Sequence, residues 1–142
     1  MKERVLFVCV QNTARSQMGE GILRSIAGDT FDVYSAGITS GLALNPYAVT
    51  AMKEIGLDIS GNRVKSISEV LQEEDSFEHV ITVCDEGKAA SCPVFPEADN
   101  QHYWPLDDPG SFLGSDEDRL ARTRVVREAL REKIMEFVKQ YA

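Results

Sequence analysis

Cys9, Cys84 and Cys92 are the three cysteines of this 142-residue chain, and the first opens the run Cys9-Val10-Gln11-Asn12-Thr13-Ala14-Arg15-Ser16. A thiol and a guanidinium six positions apart, set between the apolar run Val5-Leu6-Phe7-Val8 and an amphipathic stretch, have the makings of an oxyanion cradle with a nucleophile at its floor. A short loop from a strand's C-terminal end to a helix N-terminus aims successive backbone N–H groups at one spot, where the partial positive charge of the helix end adds to them. Residues Val10 to Ser16 are therefore expected to bind a tetrahedral dianion, with the planar fork of Arg15 gripping two oxygens at once. The same field favours thiolate over thiol, since cysteines in such settings fall from a pKa of about 8.5 to roughly 3.5–7.5. Cys9 is expected to act as a nucleophile near neutral pH. Ser16 is placed to donate to its sulfur, and Asn12 is a side chain that tolerates left-handed backbone in a tight loop. A lone cysteine closing a strand is more often an inert core residue. Here the strand before, the helix after and the Arg-Ser pair at the junction favour the anion site.

The elements that must position this loop follow from the pattern. Val5 to Cys9 does not alternate and reads as a fully buried strand. From Arg15, Met18, Ile22 and Ile26 recur every four residues with Leu23 widening the stripe, and Gly28 marks a stop. Phe31 to Ala36 is a second strand ended by Gly37. Asn45-Pro46 starts a helix whose face is Ala48, Met52 and Ile55, up to Gly56. Ser66 to Leu71 reads as a short helix and His79 to Cys84 as a third strand. Asp85 to Gln101 is a loop holding Gly87, Pro93 and Pro96, long enough to be functional. A short strand at His102 to Trp104 and a long helix from about Asp116 follow, the helix with Val126, Leu130, Ile134, Phe137 or Val138, and Tyr141 on one face. Alternating strands and helices with short connections predict an α/β fold, a parallel sheet covered on both faces. In such sheets ligands sit beyond the carboxyl ends of the strands. Cys9 and Cys84 both occupy such ends, so their sulfurs can approach each other if their strands are neighbours.

Size and composition narrow the function classes. A chain of 142 residues is expected to form a single domain spanning 1–142 and to bury about two thirds of its unfolded surface. No apolar stretch is long enough to span a bilayer, and the first residues lack the pattern of a secretion signal, so a cytoplasmic home and no membrane partner are expected. Thiols there stay mostly reduced, and a catalytic or redox use is favoured over a structural bridge. The net charge of −8, from 15 Lys and Arg against 23 Asp and Glu, argues against nucleic acid. An anion must then be held by a local field rather than a global one. Cys84 and Cys92 lack the clustered partners of a structural zinc site. His79 and His102 are expected to be structural, Trp104 and Phe112 core, and Glu73-Glu74-Asp75 a solvated loop. Asp107 and Asp108 compete for a general-acid role, although an Asp-Asp-Pro run is as readily a plain turn.

The chain resembles the low-molecular-weight protein tyrosine phosphatase family, and more closely its thioredoxin-coupled arsenate reductase branch. The stretches that carry the resemblance are Val8-Cys9 through Arg15-Ser16-Gln17-Met18, Tyr34-Ser35-Ala36-Gly37, Asn45-Pro46, Val83-Cys84, Cys92-Pro93 and Trp104-Pro105-Leu106-Asp107-Asp108-Pro109. The resemblance implies a three-layer α/β/α fold with a four-stranded parallel sheet. It implies reduction of arsenate to arsenite, with phosphate or sulfate as competing oxyanions, by a monomer that binds no cofactor and draws on an external dithiol such as thioredoxin. Carried over residue by residue, Cys9 attacks arsenate held by the loop amides and Arg15, and Asp108 serves as general acid. Cys84 then attacks Cys9 and releases arsenite. Cys92 attacks Cys84, and the resulting bridge is passed to the dithiol by a loop that must move.

The sequence also departs from the family. Gln11 stands where the phosphatases carry glycine, Ala14 where many relatives carry another cysteine, and Cys84 and Cys92 are one residue further apart than in the best-known reductases. Some relatives bind potassium beside the cradle. Asn12, Glu20 and Ser35 resemble that site, but Lys65 takes the place of an acidic ligand, which implies that its ammonium replaces the metal. Two other functions remain open. One is a phosphatase acting through Cys9, Arg15 and Asp108, weakened by Gly110-Ser111 where tyrosine-specific relatives offer an aromatic wall. The other is a non-enzymatic sensor of oxyanion or redox state.

Overall fold

A computed structural model describes residues 2–74, 76–84 and 98–142. The strands are β1 (Glu3–Cys9), β2 (Phe31–Gly37), β3 (His79–Thr82) and β4 (Asn100–Tyr103), and the helices are α1 (Arg15–Ala27), α2 (Pro46–Lys53), α3 (Ile67–Glu73) and α4 (Asp116–Tyr141). They form one parallel sheet in the order β2-β1-β3-β4. The chain leaves β1 for a neighbour on one side and later returns to pair on its other side. The carboxyl end of β1 therefore lies at the switch point of the sheet, where open α/β folds leave a crevice.

Both faces are covered, as the unbroken apolar run of β1 demands. Val5, Phe7 and Cys9 pack with Met18, Ile22 and Leu23 of α1, Met52 of α2 and Leu130, Ile134 and Phe137 of α4. Leu6 and Val8 face the other way, onto Val70 of α3, Phe77 and Val80. The three-layer α/β/α architecture is the expected one. The histidines belong to this core: His79 and His102 sit among the rings of Phe137, Tyr141 and Trp104. Burial pushes the His102 imidazolium below its ordinary pKa, and His79 beside it adds to the effect.

Helix starts obey their signals. Asn45 caps α2 through its side-chain oxygen, and Ser66 and Ser115 form capping boxes with Glu69 and Asp118. Several sequence expectations shift, among them Glu73, which closes α3 instead of lying in a solvated loop. Ile26 is 45% exposed and Ala27 closes the buried stripe of α1, because periodicity shows which residues share a face but not how far the covering layer reaches. The third strand ends at Thr82, although Val83 N still donates to Val8 O at 2.8 Å and keeps the segment against β1. The fourth strand runs Asn100–Tyr103 rather than His102 to Trp104. The loop expected from Asp85 lies largely outside the described residues, as do Cys92 and Asp75.

Candidate active site

The loop between β1 and α1 folds so that its carbonyls point out and its amides point in. Ile38 N donates to Cys9 O, Thr39 N to Val10 O, Gly41 N to Gln11 O and Asn45 N to Thr13 O, at 2.9 to 3.1 Å. The segment after β2 thus takes up four carbonyls of the cradle and leaves the opposite edge of each peptide for a ligand. Asn12 makes the turn with φ of 61°, the left-handed conformation expected of it. Close approach is needed for this: a Cβ on Gly37 would lie 2.6 Å from Gln11 C and 2.7 Å from Asn12 N.

Helix α1 begins without a side-chain cap at Ala14, unlike the capped α2, α3 and α4, and has no acidic residue in its first turn. Its first amides are left for an anion. A small cavity there is lined by Cys9, Val10, Gln11, Thr13, Ala14, Arg15 and Asp108. Asn12 and Ser16 lie behind the sulfur, fully buried. Ser16 Oγ is 2.8 Å from Cys9 Sγ, and Asn12 N donates to the same sulfur at 3.2 Å. These contacts support negative charge on the sulfur.

Arg15 is anchored from across the chain: its Nη1 donates to Leu106 O at 3.0 Å, and its Nη2 lies 3.8 Å from Asp108 Oδ1. Asp108 also caps the 3-10 turn Pro109–Ser111 by accepting from Gly110 N at 2.9 Å. The turn and acid readings of Asp-Asp-Pro are thus compatible. Asp108 borders the cavity, whereas Asp107 is exposed.

Cys84 is fully buried in the same apolar cluster as Cys9, just beyond the end of β3, which pairs with β1 through Val8 and Thr82. The two thiols therefore occupy the carboxyl ends of adjacent strands. Cys92 lies outside the described residues.

The residues resembling a potassium site do not fit that ion. Ser35 Oγ is buried without a hydrogen-bond partner among the described residues. Asn12 Oδ1, however, already accepts from Gln17 Nε2 at 2.8 Å and Lys65 N at 3.0 Å, and Glu20 pairs with Arg24 Nη1 at 3.1 Å. Burial lowers the pKa of the Lys65 ammonium, and the nearby Glu20 carboxylate acts against that. A cation here would meet two cationic side chains. Among the described residues no group of three or more His, Cys, Asp or Glu side chains could hold a metal ion, and no helix is long and apolar enough to cross a membrane.

Residues 4–142 match the profile of the family described as low molecular weight phosphotyrosine protein phosphatase. The chain belongs to that family. Among curated relatives of this phosphatase-family member, an arsenate reductase of Halalkalibacterium halodurans is 43% identical over 138 residues, covering 96% of this chain and 95% of that protein. A solved structure described as an arsenate reductase in the phosphate binding state superposes with a TM-score of 0.80 at 31% identity, over 100% of both chains. The thioredoxin-dependent arsenate reductase of Corynebacterium glutamicum gives a TM-score of 0.74 at 26% identity, over 98% of this chain and 61% of that one.

Sequence reasoning placed the cradle but missed the partners that hold it. Leu106 contributes a main-chain oxygen, which no side-chain type announces. Gln17 carries no expected role in the Arg-Ser-Gln-Met run; an amide next to Met18 of the apolar stripe, in the first turn of the expected helix, was the available signal, and the structure buries it fully.

Proposed function

We propose that this protein reduces arsenate to arsenite by a relay through Cys9, Cys84 and Cys92, with thioredoxin or a similar dithiol restoring the thiols. The observation that carries the reading is the placement of Cys9 and Cys84 at the ends of adjacent strands, the first at the floor of an anion cradle. The names and the near full-length coverage of the relatives support the substrate. In this reading residues 1–142 act as one unit, a monomer in the cytoplasm.

The chemistry follows from the geometry. The cradle amides and Arg15 hold the oxyanion, and the Cys9 thiolate forms a sulfur–arsenic bond as one oxygen leaves with a proton from Asp108. The Cys84 thiolate attacks Cys9 sulfur, and the electron pair of the breaking sulfur–arsenic bond stays on arsenic, which departs as arsenite. Cys92 attacks Cys84 and frees the Cys9 thiolate. Two electrons from the external dithiol then reduce the Cys84–Cys92 bridge. Burial of Cys84 requires its segment to move before that exchange.

The test is arsenate-dependent oxidation of NADPH coupled through thioredoxin and its reductase. Cys9→Ser is expected to abolish all turnover. Cys92→Ala is expected to perform about one turnover and stall with a Cys9–Cys84 bridge visible by mass spectrometry; sustained turnover by that variant refutes the relay. A phosphatase reading is favoured by the family match and the shared cradle. It predicts p-nitrophenyl phosphate hydrolysis indifferent to Cys84→Ala and Cys92→Ala. Exposed Gly110 and Ser111 beside Asp108 provide no ring to hold a phosphotyrosine, which weighs against it.

A further inference from the structure

Behind the Cys9 sulfur runs a chain of side-chain amides that reaches a segment far away in sequence. Asn62 Nδ2 donates to Gln17 Oε1 at 3.1 Å, and Gln17 Nε2 donates both to Arg63 O at 3.0 Å and to Asn12 Oδ1 at 2.8 Å. Asn12 Nδ2 donates to Ser16 Oγ at 2.7 Å, and that hydroxyl contacts Cys9 Sγ at 2.8 Å. Gln17, Asn12 and Ser16 are fully buried.

Main-chain groups fix the direction of every link. Arg63 O can only accept, so the atom of Gln17 facing it is nitrogen, and the oxygen must turn toward Asn62. Lys65 N can only donate, so the atom of Asn12 that it meets at 3.0 Å is oxygen. Asn12 must then present its NH2 group to Ser16. A hydroxyl has one hydrogen, and with its oxygen accepting from Asn12 that hydrogen is left to point at the sulfur. Reversing any amide would set donor against donor or acceptor against acceptor in a buried site, which is costly.

We propose that Gln17 is a positioning residue: together with Lys65 N it holds Asn12 Oδ1 turned away from Ser16, so that the Ser16 hydroxyl donates to Cys9 and stabilises the thiolate. Gln17 touches neither substrate nor sulfur. It acts by holding Asn12 in one of its two orientations and by tying the cradle to the Asn62–Arg63 segment. The inference rests on the reading of Cys9 as the nucleophile.

The experiment is the pH profile of iodoacetamide alkylation of Cys9 in the reduced full-length protein, followed by mass spectrometry of the peptide that carries it. Gln17→Met keeps the bulk and removes both donors. Its midpoint is expected to rise by about half a unit to one unit, the effect of one buried hydrogen bond to the charged form. Gln17→Glu, whose carboxylate faces two acceptors, is expected to rise at least as far. Asn62→Ala changes only a half-buried residue at the far end and is expected to rise by about a third of a unit. In arsenate reduction Gln17→Met should lower kcat while leaving KM near that of the parent. A folded Gln17→Met whose alkylation profile superposes on the parent overturns the proposal, and so does an unshifted Asn62→Ala if Gln17→Met fails to fold. Alkylation needs no arsenate. A shifted profile in a protein inert toward arsenate would refute the proposed reaction alone, and an unshifted profile in an active one would refute the role of Gln17 alone.

Discussion

The guanidinium of Arg15, at the start of α1, donates to the carbonyl oxygen of Leu106, 91 residues further along the chain, at 3.0 Å. Leu106 lies two residues before Asp108, so one hydrogen bond fixes the register between the anion cradle and the carboxylate that borders it. Arg15 is nearly fully buried, and its side chain is held in place before any ligand arrives. Binding then orders little more than the anion itself, which favours a field already aimed at the charge that develops in the reaction.

Arg15→Lys tests that preorganisation. A lysine keeps one positive charge but has a shorter, single-headed donor that cannot span the anion and Leu106 O together. Arsenate turnover is expected to fall by about 10²–10³-fold, the loss typical of one oxyanion donor. Titration with inorganic phosphate should show weaker binding by a calorimeter, while far-UV circular dichroism stays that of the parent. Parent-like phosphate affinity in the variant would show that the amides suffice without the fork.

Gly37→Ala addresses the backing of the cradle. The added methyl would lie 2.5 Å from Thr39 O, 2.6 Å from Gln11 C and 2.7 Å from Asn12 N, all main-chain atoms that cannot rotate away. The loop must shift, and misplacement on the order of 1 Å costs about 10²-fold in rate. Gly61→Ala is the control, since its methyl meets nothing within 4 Å. Equal activities in the two variants would contradict the close packing at Gly37.

Lys65→Ala probes the cationic corner. With Lys65 and Arg24 beside Glu20, activity of the parent is expected to be the same in potassium and sodium chloride at equal ionic strength. Removing the ammonium leaves Glu20 with one fewer neighbouring cation, and phosphate binding by Lys65→Ala is expected to strengthen with added potassium. Potassium dependence in the parent would show that the ion and the lysine coexist.

The order of elements, the parallel sheet and the cradle were legible because each has a local signature: an apolar run, a four-residue stripe, Asn45-Pro46, or a cysteine and an arginine across a strand-to-helix loop. Asn12 in left-handed backbone and Ser16 on the sulfur follow from the same short stretch. The remainder depends on contacts between distant segments. Leu106 acts through its main-chain oxygen, Gln17 through Asn62 and Arg63 some 45 residues away, and Gly37 through the space it leaves empty. Composition and spacing carry no trace of which remote carbonyl meets which donor. The choice between Asp107 and Asp108 as neighbour of the cavity likewise needed the turn at Pro109–Ser111, which sends one side chain inward and the other to solvent.

The docking of α2 on α4 gives a prediction in acid. Glu54 ends α2 between two arginines of α4: Arg124 Nη2 lies 2.6 Å and Arg127 Nη1 2.8 Å from its carboxylate, and Arg127 Nη1 also donates to Ala51 O. Hydrogen bonds from Arg124 first, then Arg127, hold the Glu54 carboxyl at about 2, against the ordinary 4.5. The folded-state value is the lower one, so the unfolded chain takes up the proton first as pH falls. The stabilisation is complete above about 4.5 and is lost as the pH drops through about 2. Glu54→Gln is therefore expected to melt below the parent by a constant margin from pH 5 to 8. That margin should narrow in the acid range and vanish near pH 2, and added salt should shrink it at neutral pH because the pair is open to solvent. Melting curves followed by circular dichroism across this range decide the matter; a margin independent of pH would mean that Glu54 acts through packing rather than charge.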